Sequence, residues 1–314
     1  MKSYILRRVL TLIPVLLGIS IAIFLIMQLI PGDVVSGILG IEETPELREM
    51  WERKLGIDRP LPAQYFSWIS GAVRGDFGES FRTSAPVFPE IISRFKISGE
   101  LAIVACIVAW LIAFPLGILS ALRRNSLVDR IVRIIGLLGV SVPSFATATL
   151  LILFMATVFG YYSPIKYVSF FENPIKNLEI MLFPAIVMGG SMAGSVMRMT
   201  RSSVLEVLRQ DFIKAVRSKG APERVTIGRH AFRNASIPIV TLVGMQIGIL
   251  MGGTVVIEQI FSIPGLGQYL LTGIFQRDFP VVQGSVLFMA FIYVVVNLLV
   301  DILYTYIDPR ITYS

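Results

Sequence analysis

Six stretches without a charged residue divide this chain: 9–32, 101–122, 134–165, 180–197, 234–257 and 279–300. Each is long enough to supply the ~20 apolar residues that carry a helix across a ~30 Å hydrocarbon core. In lipid every backbone N–H and C=O needs a partner within its own segment or under the shelter of protein, so such runs admit helices and little else. The predicted fold is therefore an all-α membrane protein with six transmembrane helices. Composition agrees: 54% of residues are hydrophobic and 16% charged, where an ordinary soluble domain carries about 25% charged residues. A seventh charge-free stretch, 259–276, is broken by Pro264, Gly265 and Gly267. It reads as a loop or re-entrant segment sheltered by protein.

Orientation follows from Lys and Arg. With six spans, one side of the membrane receives residues 1–8, the 123–133 loop, the 198–233 loop and the tail. That side holds 17 of the 28 basic and 6 of the 21 acidic residues, a net of +11, while the other holds 11 and 15, a net of −4. Excess Lys and Arg mark the cytoplasmic face, so both termini are expected inside. Topology and anionic lipid account for the net charge of +7, and nucleic-acid binding is not inferred from it. The basic start (Lys2, Arg7, Arg8) precedes an apolar run longer than the roughly 7–15 residues of a secretory h-region, and no small-residue cleavage site follows. The first stretch reads as a retained anchor. The one cysteine, Cys106, permits no intrachain disulfide and no cysteine-based metal site.

Three divisions result: residues 1–32 with the first span, a segment at 33–98 on the outer side, and a five-helix core at 99–314 carrying a loop at about 200–235. The 33–98 segment contains ELREMWERKLG, which ends at Gly56 as a helix C-terminus should, then short helices joined by turns. It is either a lid over the span ends or a docking surface for an external partner. The basic turn at 123–133 is assigned no function, because any cytoplasmic turn has this charge.

The 200–235 loop is different. Leu205, Leu208, Phe212 and Val216 fall at spacings of three and four and predict one apolar stripe, with Glu206, Arg209, Lys214 and Arg217 on other faces. Gly220 suits the left-handed residue that closes a helix. Pro222 suits the first turn of the next helix, and Glu223 complements its dipole. The reading is two short helices set at an angle by Gly220-Ala221-Pro222. An interfacial helix lying on headgroups would explain the amphipathicity but not the break.

Inside the spans, Gly244, Gly248 and Gly252 recur at four-residue intervals beside Gly253, and Gly190 pairs with Gly194. Small-xxx-small stripes let helices approach closely in lipid, so they read as packing positions within the bundle or against a second subunit. Gln246 and Asn297 lie mid-span, where polar residues either line a path or join helices; Glu258 and Asp301 sit at span ends as pathway or end-of-helix charges.

Missing chemistry narrows the function. No GxxxxGK[ST] occurs, so a nucleotide-cradling P-loop is excluded, and one histidine, His230, excludes an HExxH site. No acid lies near the middle of a span, which weighs against an ion-coupled carrier. What remains is a membrane pathway without its own energy source and with a shaped cytoplasmic surface. The alternatives are a stand-alone ion-coupled carrier, which would transport without ATP or partners, and a membrane scaffold, which would bind a partner without moving solute.

The loop resembles the coupling motif of ABC importer permeases, EAA-x3-G followed by Leu-Pro. The matching positions are Lys214-Ala215-Val216, Gly220 and Ile237-Pro238, with Lys and Val in place of the Glu and second Ala. A longer Gly-to-Pro spacing and RHAFRNASIPIVTLVG at 229–244 are similar to the dipeptide/oligopeptide/nickel subfamily. So are YILRRVLTLIPVLLGIS, LIPGD, KLGIDRPLPAQYFSWI, GDFGES, PAIVMG, RMTRSSVLEVL, EQIFSIPGLGQYL, RDFPVVQG and VNLLVDILYTYIDPR, in order along nearly the whole chain.

The resemblance implies a non-catalytic transport subunit of a bacterial or archaeal cytoplasmic membrane. It pairs with a second, homologous permease as a heterodimer, and has two ATP-binding subunits below and a solute-binding protein above. ATP and Mg belong to those partners; this chain binds no cofactor. The loop would be a coupling helix pair, with Ala215, Gly220, Ala221, Pro222, Glu223 and Arg224 in contact with the ATPase, and Lys214 and Arg217 completing the set. Glu223 and Arg224 would face the motor's polar groups. His230 and Asn234 match the subfamily pattern as structural hydrogen-bonding residues. The 33–98 segment would form part of the binding-protein dock, and 259–276 an outer gate or part of that dock. Relatives move dipeptides, oligopeptides, nickel or metal chelates, and some oligosaccharides; peptides or similar small solutes are the expected cargo.

Overall fold

The computed structural model describes residues 2–29, 34–40, 43–162, 164 and 166–307. Residues 30–33 of the LIPGD turn and the end of the tail from 308 lie outside them. The elements are α1 (Lys2–Leu29), α2 (Val34–Leu39), α3 (Pro45–Leu55), α4 (Leu61–Val73), α5 (Val87–Leu122), α6 (Leu127–Ser141) and α7 (Ser144–Phe159). They continue with α8 (Pro174–Leu208), α9 (Asp211–Ser218), α10 (Glu223–Val225), a π-helical turn (Thr226–Ala231), α11 (Phe232–Ile260), α12 (Leu266–Gln276) and α13 (Phe279–Ile307). Among the described residues there is no strand, and the β-type pairing given is an isolated bridge between Glu79 and Pro86.

Among the described residues, five helical runs are long and apolar enough to cross a membrane: Leu10–Leu29, Val87–Leu122, Pro174–Leu208, Glu223–Leu250 and Phe279–Ile302. A sixth crossing exists only if α6 and α7 act together, because they meet at 103°. The expected span at 134–165 is represented in the structure by this bent pair. The cause is Pro143: its ring pushes the preceding residue out of the helical region, and Val142 is extended at φ −85°, ψ 124°. The halves contain 15 and 16 residues, about 22–24 Å each at 1.5 Å per residue, so neither alone spans ~30 Å.

The chain divides into two compact units, Met1–Ser98 with Pro264–Val294, and Gly99–Ile263 with Val295–Ser314. Residues 264–294, grouped with the 99–314 core on sequence, fall in the first. There, Phe77, Val87, Ile91, Leu266, Val281 and Phe288 form a buried cluster. The turn before α13 is tied to the GDFGES turn: Ser80 Oγ donates to Asp278 Oδ2 at 2.5 Å and the Phe81 N–H to Oδ1 at 3.2 Å. The 259–276 stretch is no loop: after the break at Pro264-Gly265 it winds into α12, whose first N–H groups include Leu266 N donating to Ser98 Oγ at 2.8 Å. Leu266, Gly267 and Gly273 are buried, so the segment is sheltered by protein as expected.

In the second unit α8 is the central helix, with 67% of its apolar window buried against 28% for Glu223–Leu250. Glycines permit its contacts. A Cβ on Gly194 would lie 2.5 Å from the Gly136 carbonyl oxygen, one on Gly189 2.6 Å from that of Ala105, and one on Gly117 2.8 Å from Thr200 Cβ. Backbone thus meets backbone between α8 and both α5 and α6, which maximises dispersion contact where lipid offers no hydrophobic drive for helix association.

Candidate functional site

The predicted apolar stripe over 205–216 does not lie on one helix. α8 stops at Leu208, Arg209 caps it, and Gln210 turns extended (φ −73°, ψ 148°) before α9 begins at Asp211. That interruption resets the helical phase. The buried set becomes Val204, Val207 and Ile213, packed with Ala121, Ala231 and Ala235, while Phe212 is 38% exposed. Ile213 is fully buried and clips the eight-residue α9 to the bundle.

The break at 219–222 is built as the residue types demand. Gly220 takes φ +78°, where side chains with a Cβ are strained, although nothing lies within 4 Å of a Cβ placed there. Its N–H donates to the Arg217 carbonyl at 2.9 Å, closing α9. Pro222 occupies the N-cap position rather than the first helical turn, and its carbonyl accepts from Val225 N (2.9 Å) and Thr226 N (3.0 Å). The second piece is not a separate short helix. Backbone at Val225, Thr226, Ala231 and Phe232 stays in the right-handed helical region, so α10 runs through the π turn into α11. Between Glu223 and Phe232 the ladder changes register through the π turn without a break in the helical backbone.

A bidentate ion pair spans the break: Arg217 Nη2 lies 2.6 Å from Glu223 Oε1, and Nε 3.2 Å from Oε2. This hydrogen bonding holds the Glu223 carboxyl below its ordinary range and raises the Arg217 guanidinium further. Glu223 is therefore engaged within the chain instead of presenting a free carboxylate. Lys214 pairs with Asp211 at 2.8 Å. Lys214, Ala215, Arg217, Gly220, Pro222, Glu223 and Arg224 are all exposed and Ala221 is half-buried, so the predicted set lies along one exposed hinge. Asn234 Nδ2 donates to the His230 carbonyl at 2.7 Å, a bond within the α11 entry.

Sequence reasoning missed a cluster in the supposedly inert 123–133 turn. Asp129 is fully buried and accepts from Arg201 Nε (2.7 Å) and Nη2 (2.9 Å), Ser120 Oγ (2.6 Å) and Asn125 N (2.9 Å). It ties the end of α5 and the start of α6 to α8, the helix that leads into α9. The available signal was Ser126-x-x-Asp129, whose N-cap bond from Asp129 N to Ser126 Oγ is 3.2 Å.

The remaining candidates are dispersed. Gln246 on α11 is half-buried, and its Oε1 has no hydrogen-bond partner among the described residues. Glu258 is fully buried near the end of α11, Asn297 and Asp301 are half-buried on α13, and Glu258 and Asp301 each have an interaction partner. Among the predicted packing glycines, Gly194 abuts Gly136, Gly190 presents its carbonyl 3.0 Å from where a Gly139 Cβ would sit, and a Gly244 Cβ would overlap Val300. Gly248 is buried, whereas Gly252 faces open space.

An all-helical, multi-pass membrane chain with an exposed hinge between two long helices is the architecture of a transporter's membrane subunit. Two family models match it. Binding-protein-dependent transport system inner membrane component matches residues 113–313, and the N-terminal model of the same membrane component matches residues 1–102. The chain belongs to this family, and is an ABC importer permease. It is 41% identical, over the full length of both chains, to a peptide transport system permease protein of Brucella abortus. It is 40% identical over 333 residues, again covering both chains fully, to the dipeptide transport system permease protein DppB of Alkalihalophilus pseudofirmus. Its fold is similar to a chain of the inward-facing MetNI methionine ABC transporter, with a TM-score of 0.58 and 16% identity over 70% of this chain and 96% of that one. That likeness concerns the fold alone. The relatives are non-catalytic transport subunits.

Proposed function

We propose that this chain forms one half of the membrane pathway of an ATP-driven importer for short peptides. The second half is a homologous permease, two ATP-hydrolysing subunits attach at the cytoplasmic face, and a solute-binding protein docks outside. The concentration of Lys and Arg on the side holding the hinge supports a cytoplasmic position for it, and the multi-pass chain belongs in a bacterial inner membrane. Closure of the ATPases moves the hinge, and α8, joined to α9 through Arg209-Gln210, and α11, continuous with α10, carry that motion into an alternating-access bundle.

One observation carries the reading: α9 is clipped to the core through Ile213 while its other faces and the Gly220 break stand exposed. A surface locked to the spans on one side and open on the other suits the transmission of force. The test is Gly220→Val in vesicles reconstituted with the ATPases and binding protein. A β-branched residue at φ +78° costs about 1–3 kcal/mol of local strain. ATP hydrolysis should persist while peptide uptake is lost, with the spans inserted normally. Uptake at the wild-type level would overturn the role of the hinge.

A further inference from the structure

A cavity of about 390 Å³ lies within the first compact unit, between the end of α1, α3, α4, the GDFGES turn and the start of α13. Its size falls within the roughly 300–1,000 Å³ of small-molecule sites. The walls are aromatic and held in place. Trp68 stacks on Phe24 at 6.4 Å between ring centroids, and Phe24 meets Tyr65 edge-on at 5.5 Å. The turn is tied to Asp278 through Ser80 and the Phe81 N–H. The rotation of α13 is fixed as well, because Val282 packs on Ile23 and Met27 while a Cβ on Gly284 would lie 3.1 Å from Phe77.

Between Val282 and Gly284, Gln283 lines the cavity. It is 7% exposed, and its side-chain amide has no hydrogen-bond partner among the described residues. A buried amide left in this state costs stability until something bonds to it. The indole N–H of Trp68, in the same wall, also lacks a partner among the described residues. Gln64 is the contrast: its amide donates to the Ile57 and Arg59 carbonyls at 3.1 and 2.7 Å and braces the turn that carries Arg59. The charged groups of the lining are Arg59, Asp76 and Glu79, all exposed and none ion-paired with a described residue. Asp76 Oδ1 accepts the Gly78 N–H at 2.9 Å, which leaves Oδ2 and the Glu79 carboxylate without a described partner.

Each open group has a counterpart in one class of molecule. Carboxylates match an ammonium, a guanidinium matches a carboxylate, and a free amide matches a peptide group, which both donates and accepts. Aromatic walls receive an apolar side chain. Building on the peptide cargo proposed above, we infer that this cavity is a short-peptide site in the permease itself. Gln283 meets the peptide group, Asp76 and Glu79 the amino terminus, and Arg59 the carboxylate. The distribution of Lys and Arg puts the end of α1 that bears Phe24 on the outer face, where solute arrives.

Equilibrium dialysis measures binding of radiolabelled alanyl-phenylalanine to the full-length chain, purified in detergent with its sister permease and ATPases and without the solute-binding protein. Saturable binding is expected. It should weaken at least about tenfold when the peptide is N-acetylated, and by a similar factor in Asp76→Asn/Glu79→Gln, which should no longer distinguish free from acetylated peptide. Gln283→Leu should also weaken binding about tenfold, yet unfold in SDS no earlier than the wild type, since it removes a buried amide that lacks a partner. No saturable binding by the wild type, or equal binding by the wild type and both variants, would overturn the site. The cargo reading is separable from it. With the solute-binding protein restored, peptide uptake into vesicles by a wild type that shows no saturable binding would sink the site and keep the cargo. Saturable binding without uptake would keep the site and sink the cargo.

Discussion

Replacing Asp129 by Ala tests the buried junction between α5, α6 and α8. The substitution removes acceptors for four hydrogen bonds, two from Arg201, one from Ser120 and one from the Asn125 N–H. Bonds to a charged group contribute about 1.5–3 kcal/mol each, but within one cluster they do not add. The guanidinium left behind costs more: breaking a buried pair on one side destabilises by about 3–5 kcal/mol. Arg201 retains 21% side-chain exposure, so water recovers part of that and about 2–4 kcal/mol is the expected loss. Removing both partners relieves the stranded charge, so Asp129→Ala/Arg201→Ala should be less destabilised than the sum of the single changes, by at least about 1.5 kcal/mol. Reversible unfolding in mixed detergent–SDS micelles measures all corners of the cycle. A coupling below about 0.5 kcal/mol would falsify the view that this cluster pins α8 to its neighbours.

Two further outcomes follow from local geometry. Gly194→Val should force α8 from α6, because its Cβ would meet the Gly136 carbonyl oxygen at 2.5 Å and Val140 Cγ2 at 3.0 Å; overpacking of this kind costs about 1–3 kcal/mol or more. Gly252→Ala, with nothing within 4 Å, should leave unfolding of the chain unchanged, and equal losses at the two sites would refute the packing assignment. For the hinge, Glu223 has a lowered pKa in the fold, so the clasp's contribution is fully present above the ordinary carboxylate range and is lost as pH falls through the lowered value. Glu223→Gln removes it at every pH. Because both partners are exposed the cost is under about 1 kcal/mol. It should appear as up to about fivefold faster hydrogen exchange at Ala221 N, which donates to the Val216 carbonyl at 3.4 Å; no change would mean the pair does not hold the break.

Much of the hinge was legible because its chemistry is local. A glycine at a left-handed closure and a proline before the next helix act through their own backbone, and both stand where their residue types predict within one position. The apolar stripe was misplaced for an equally physical reason. Its phase assumed an unbroken helix through Arg209 and Gln210, and a single extended residue rotates everything after it, exchanging Phe212 for Ile213. Likewise, 134–165 has the composition of one span, but Val142-Pro143 cannot hold helical geometry together. In 259–276, Pro264 and Gly265 do break the chain, yet α12 forms beyond them, its first N–H, that of Leu266, donating to Ser98 Oγ 168 residues away.

The amino-acid sequence by itself determined most of the segments long and apolar enough to cross a membrane and where the 200–235 segment bends, since the absence of charge over about twenty residues and the backbone limits of Gly and Pro need no partner to take effect. Tertiary structure alone decided which glycines are contacts, that Glu223 answers Arg217, and that Asp129 in a basic turn becomes the buried counter-charge of Arg201. Those outcomes depend on which surfaces the bundle brings within a few ångströms of each other, and dispersion and hydrogen bonding are too short-ranged to be read from positions 72 residues apart in a chain.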